Sequence, residues 1–324
     1  MNNKRREWGS VVNHRLINGT LWKDTRGQPI HAHGGHIIFH DKYYYWYGED
    51  RRDDIYVSCY RSRDLFHWEF RNHILTTSTP VAPIRVRSNT KLMNDSGGKV
   101  NLERPKVLFN QKTKKFVLWV HYENGTNYND AACAIATSDS PDSHFTYHGS
   151  FNPYGYMSRD CTLFQDDDGT AYFISAARDN ADLHIYRLQE DYLNVESLIG
   201  KLWQGEYREA PAVFKRNGKY YMLTSFCTGW DPNQGKVAMA DAMDGPWGML
   251  RDFGDDTTYR TQPSFVLKRS EQEYLYFADR WNAADYFQSS YVALPIEFEG
   301  DMPVLNNYSE LTLSKDANSI TFEI

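Results

Sequence analysis

Short apolar runs alternate with polar turns along the whole chain, and one composite segment recurs five times: an apolar strand, a polar turn and a Tyr-rich strand. The copies are HAHGGHIIFHDKYYYWYGE at 31–49, ERPKVLFNQKTKKFVLWVH at 103–121, RDCTLFQDDDGTAYFISA at 159–176, REAPAVFKRNGKYYMLTSF at 208–226 and TQPSFVLKRSEQEYLYFADRW at 261–281. Turn chemistry falls where hairpins need it, as in Asp168-Gly169 and Asn217-Gly218. Behind each copy lies a further strand that mixes small and apolar residues (IYVSCYRS, AACAIATS, LHIYRL, GKVAMADA, SSYVALPI), then in several cases a polar segment with an aromatic residue, as in DLFHWEF or DGPWGML.

Each unit therefore supplies three or four strands, and no helical period of useful length intervenes. Five such units predict an all-β fold, a five-bladed β-propeller, with residues 1–324 forming a single catalytic domain. Pro105, Pro211 and Pro263 begin the first strand of their units, where a central strand would lose a ladder hydrogen bond; this strand must be an edge, and the innermost strand of a propeller blade is one. The segments YSELTLS and SITFEI, after Asn306, are expected to pair near the N-terminus and close the ring.

Aligning the copies places His33 (or Ala32, if a gap is allowed), Glu103, Asp160, Glu209 and Gln262 in one column at the mouths of five channel-lining strands. A single carboxylate at a strand start is ordinarily just solvated. Three carboxylates and an amide in register are different, because like charges around one funnel raise each other's proton affinity and can leave one carboxyl protonated near neutral pH. That is what glycoside hydrolysis requires: an acid on the leaving oxygen and assistance to water on the opposite face.

Composition narrows the partners. With 41% hydrophobic and 15% aromatic residues in 324, the chain can bury a large core. A net charge of −6 without a Lys/Arg run offers no footprint for nucleic acid or an anionic membrane, so a neutral polysaccharide or oligosaccharide is the expected partner. No stretch has signal-peptide or transmembrane character, which points to the cytoplasm for the chain as it stands, and a monomer is expected. Cys59, Cys133, Cys161 and Cys227 lack CxxC spacing and read as reduced, buried thiols. His31, His33 and His36 do not predict a metal site, since on a strand His31 and His33 face one way and His36 the other. No cofactor is expected, although a structural ion on the central axis stays open.

These residues resemble glycoside hydrolase family 43 over essentially the whole chain. Arg159-Asp160 with the downstream DDDGTAYF is similar to that family's third-blade motif, and Glu209 in REAPAVFKRNGKYYML to its fourth-blade motif. The resemblance implies that Glu209 is the general acid and Asp160 the residue that tunes and orients it. The family's first-blade Asp, its usual general base, has no counterpart, for the matching segment reads His31-Ala32-His33-Gly34-Gly35. That departure, together with YYWYGE, LERPKV and TQPSFV, resembles the exo-β-1,3-galactanase branch, which implies inverting release of galactose from β-1,3-galactan, the arabinogalactan backbone. An α-L-arabinofuranosidase, a β-xylosidase and a glycan-binding propeller without catalysis are the alternatives.

With the usual base missing, the column leaves Glu103 to supply negative charge and Gln262 to place water, or Gln262 alone through an imidic-acid tautomer. For sugar contacts the candidates are Trp230, Tyr128 and Trp281 as stacking surfaces, with burial between blades as the competing role. Thr228 flanks Trp230, and Glu49 and Arg104 are candidates either for binding hydroxyls or for a structural ion pair.

Overall fold

The computed structural model describes residues 14–314 and 319–323. Five antiparallel sheets, each of four consecutive strands, form the five blades. Their inner strands are His33–His40, Asn101–Asn110, Cys161–Gln165, Arg208–Arg216 and Gln262–Lys268. Each inner strand is an edge of its sheet and touches the inner strands of the two neighbouring blades, closing a ring. This edge position is why Pro105, Pro211 and Pro263 are tolerated. The hairpin after the fourth inner strand turns at Asn217 and Gly218, both at positive φ (50° and 78°), as a two-residue hairpin twisted to match its strands demands.

Among the described residues, the buried side chains divide into five apolar clusters, one between each pair of adjacent blades. Alternation along each strand creates this: one face of a blade packs on the preceding blade and the other on the following one. Leu118 and Leu275 are fully buried in this way, a contribution of ~1.5–3 kcal/mol for each such side chain. Trp22, Trp46 and Tyr291 pack at 4.8–6.0 Å between centroids where blade 5 meets blade 1.

The chain ends do pair: His14–Ile17 lies against Glu310–Ser314, which pairs in turn with Ser319–Glu323. They make a separate three-stranded sheet and add no strand to any blade. The N-terminal segment is instead tied to blade 5 through Asn18, whose side chain brackets Ala293, donating to its carbonyl (3.0 Å) and accepting from its N–H (2.8 Å).

What positions the site is a repeated irregularity. In four of the five blades the register between the inner and second strands shifts just past the column residue, directly after it at His33/His36, Glu103/Lys106 and Glu209/Ala212 and one residue later at Pro263/Phe265. Such a bulge kinks the strand and re-aims the side chain before it. The residue after the column is left-handed in three blades: Gly34 (φ 55°), Arg104 (φ 53°) and Ala210 (φ 50°). Blade 1 requires glycine there for a second reason, since a Cβ on Gly34 would stand 2.8 Å from Glu49 Oε1.

Candidate active site

Glu103, Asp160, Glu209 and Gln262 meet in one cavity of about 200 Å³ at the channel mouth, together with Glu49, Arg104, Tyr128, Trp230 and Trp281. This is below the ~300–1,000 Å³ of sites for drug-sized ligands and suits a single sugar residue. A wider groove of about 610 Å³ adjoins it and shares Trp230, Gln262 and Trp281. Directly across the hairpins stands a second column: Glu49 opposite His33, His121 opposite Glu103, Ser225 opposite Glu209 and Asp279 opposite Gln262.

The first column position belongs to His33 and not Ala32. Its Nδ1 lies 2.8 Å from Asp279 Oδ1, and its ring stacks on Tyr291 at 4.5 Å. His36 Nδ1 lies 3.0 Å from the Val107 carbonyl oxygen on the neighbouring blade, so the two residues serve different partners.

Glu209 Oε1 accepts from Gln262 Nε2 (2.9 Å) and Oε2 from Asn180 Nδ2 (3.2 Å). Burial, and then the Asp160 charge, push this carboxyl up to about 8, against the opposing pull of Arg104, Cys227 and Gln262. A carboxyl so placed is protonated at neutral pH and can give its proton to a leaving oxygen.

Glu103 is the opposite case. Burial alone would raise it, but His121, Arg51 and the Tyr128 hydroxyl together bring it down to about 2. Its Oε1 accepts from Tyr128 (2.6 Å) and Arg51 (3.1 Å), and its Oε2 lies 3.4 Å from His121 Nδ1. Held between Glu103 and Glu123, His121 rises to about 9 in spite of being buried. Glu103 is therefore a fixed negative charge. It comes from blade 2 and Glu209 from blade 4, with the blade of Asp160 between them, so the two stand across the axis from each other.

The sequence left Arg104 open between hydroxyl binding and a structural ion pair, and the structure pairs it with Asp160. Only 4% exposed, it directs its guanidinium to Asp160 Oδ2 (2.6 Å), the Pro263 carbonyl (3.0 Å) and Gln262 Oε1, while its backbone N–H donates to Glu49 (2.9 Å). From blade 2 its side chain joins the column residues of blades 3 and 5, Asp160 and Gln262. Glu49 forms its ion pair with Arg51 (3.0 Å), and burial raises its carboxyl.

Thr228 is the one candidate outside the cavity; its hydroxyl donates to the Asp231 carbonyl (2.6 Å) and accepts from Asn233 (2.7 Å), bracing the loop that presents Trp230. Trp230 stacks on Trp281 at 5.9 Å, and Trp281 on Tyr286 at 6.1 Å, leaving Tyr128, 45% exposed, as the rim aromatic of the opposite wall.

Sequence reasoning missed Arg51, His121, Arg159 and Asn180, all of which line the cavity. His121 was within reach: the hairpin register sets it opposite Glu103, and it shares a strand face with Glu123. Arg51 and Asn180 sit in loops and carry no periodic signal.

A family model for glycosyl hydrolases family 43 matches residues 35–252, more than half of the chain. The chain belongs to glycoside hydrolase family 43. Among solved structures it is similar to an exo-β-1,3-galactanase from Clostridium thermocellum, with 44% identity, 96% of this chain and 69% of that one covered, and a TM-score of 0.86. An exo-β-1,3-galactanase from Phanerochaete chrysosporium, solved with galactose, is 32% identical over 96% of this chain and 71% of that one, with a TM-score of 0.84. A curated relative, a β-D-galactofuranosidase from Aspergillus niger, is 24% identical over 217 residues, 65% of this chain and 61% of that protein's length. This glycoside hydrolase thus has the fold expected of its family without the family's usual first-blade Asp.

Proposed function

We propose that this glycoside hydrolase is an inverting exo-β-1,3-galactanase, with Glu209 as general acid, Asp160 as the charge that keeps the acid protonated, and Glu103 as the carboxylate that receives water's proton. The observation that carries the reading is the electrostatic split of two carboxyls across one sugar-sized cavity, Glu209 raised to about 8 and Glu103 lowered to about 2. Acid and base assignments follow from such a separation.

In the reaction, Glu209 gives its proton to the glycosidic oxygen as the C1–O bond breaks, and water forms the new bond to C1 from the opposite face. Water's own proton becomes acidic only as that bond forms, so a carboxylate that is a weak base at rest can still accept it. His121, already protonated, cannot. Trp230 and Trp281 offer flat apolar faces to the sugar's C–H surface, and their position beside the wider groove is suited to a chain that enters end-on. The galactan specificity is supported by likeness to exo-β-1,3-galactanases over 96% of the chain.

The test is a substrate panel. Galactose should be released from β-1,3-galactan and β-1,3-galactobiose, with at least an order of magnitude less activity on nitrophenyl α-L-arabinofuranoside, β-D-xyloside and β-D-galactofuranoside. Preference for one of those glycosides would replace the galactanase reading with another activity of the family, and silence on every substrate would favour a glycan-binding propeller.

A further inference from the structure

Lys99 lies two residues before the inner strand of blade 2, yet its ammonium is bound to blade 1. It donates to the carbonyl oxygens of Ile55 (2.6 Å), Arg52 (3.2 Å) and Arg51 (3.3 Å), and it stands 5.2 Å from the centre of the Tyr56 ring. Three carbonyls take up the three donors of an ammonium. The loop that offers them has little packing of its own: Asp53 and Asp54 are exposed, and a cavity of about 90 Å³ is bordered by Arg51, Lys99 and Glu103. What this loop carries is Arg51. Its Nη2 bridges two buried carboxylates, Glu49 Oε2 at 3.0 Å and Glu103 Oε1 at 3.1 Å, and its guanidinium covers the Tyr286 ring at 4.5 Å.

We infer that Lys99 is a positioning residue of the active site: from blade 2 its ammonium ties down the loop of blade 1 and so fixes Arg51 between Glu49 and Glu103 in the cavity wall. Lys99 itself does not line the sugar-sized cavity, whereas Arg51, Glu49 and Glu103 all do. The charged or titratable groups that face the two carboxyls are Arg51 of blade 1, Arg104, His121 and Tyr128 of blade 2, and Tyr286 of blade 5. Arg51 lowers the proton affinity of both Glu49 and Glu103. When it is no longer held between them, two neighbouring carboxyls face each other with less compensating charge, and each keeps its proton to higher pH.

This inference rests on the hydrolase reading above, and wild-type release of galactose tests that reading separately. Lys99→Met should lose about 10²-fold in kcat/KM on β-1,3-galactobiose, the usual cost of a small misplacement passed on from outside the site. Because the active form has Glu103 ionised, the acidic limb of the kcat/KM profile should move to higher pH, by about one unit or more. Arg51→Met should show the same shift, and the double variant should lose no more than the worse of the two, since Lys99 acts only through Arg51. Lys99→Gln keeps two donors for the loop and covers the case of an unfolded Lys99→Met; its limb should move in the same direction by less. An unmoved acidic limb in whichever Lys99 variant folds, or losses that multiply in the double variant, would reduce Lys99 to a structural tie and overturn the inference.

Discussion

Replacing Glu209 with Gln should lower kcat on β-1,3-galactan by about 10²–10⁴-fold, the usual worth of general acid catalysis, with substrate affinity and thermal stability nearly unchanged. The fold tolerates the change for an electrostatic reason. With its carboxyl raised to about 8, Glu209 is mostly neutral at pH 7, and a neutral amide of the same shape keeps its oxygen toward the Gln262 donor while its nitrogen can donate to the Asn180 side-chain oxygen once that amide turns over. The pH profile provides the sign. Activity that needs the protonated form falls as pH rises through the folded-state value, so the wild type should lose kcat/KM above about 8 and Glu209→Gln should have no such limb. On a dinitrophenyl galactoside, which requires no acid, the variant should approach wild-type turnover. Parallel steady-state kinetics on the two substrates check this, and near wild-type turnover on galactan would remove Glu209 from the role.

Glu103→Gln should also cost orders of magnitude in turnover, but with a different signature. The amide keeps the shape, yet it leaves Arg51 and His121 facing a neutral group, and a buried cation that loses its partner is destabilising by ~3–5 kcal/mol when no other carboxylate compensates. Glu49 and Glu123 remain as partners, at 3.0 Å from Arg51 and 2.9 Å from His121, so a smaller loss of stability is expected here. The rate loss should be similar for galactobiose and the dinitrophenyl glycoside, because water activation is needed with either leaving group. Azide, which needs no base, should partly restore turnover and yield α-galactosyl azide. Turnover near that of the wild type, or a loss confined to the poor leaving group, would take Glu103 off the water side.

The blades were legible in the sequence because the repeat is written in strand periodicity and turn chemistry, and the column because five strand starts align at Glu103, Asp160, Glu209, Gln262 and His33. The bulges were not, since they are marked by no shared residue type: Gly34, Arg104 and Ala210 occupy equivalent left-handed positions. Without the bulges, the inward aim of Arg104 and its links to Asp160 and Gln262 could not be anticipated. Arg51 reaches Glu103 from a loop on another blade, and Asn180 reaches Glu209 from a turn with three successive left-handed residues, Arg178, Asp179 and Asn180. Contacts of this kind are set by three-dimensional closure of the ring rather than by any local pattern. Of the four cysteines, three are buried as expected, but Cys227 is only half-buried and lies beside the acid, where it helps to hold the Glu209 proton affinity down.

The most direct test of the whole account is early-time proton NMR of the wild-type enzyme acting on β-1,3-galactan, following the anomeric signals before mutarotation. An acid and a water-side carboxylate across one sugar-sized cavity predict α-galactose as the first and sole initial product, from single displacement at the chain end. β-Galactose appearing first, or galacto-oligosaccharides released from within the chain, would contradict it.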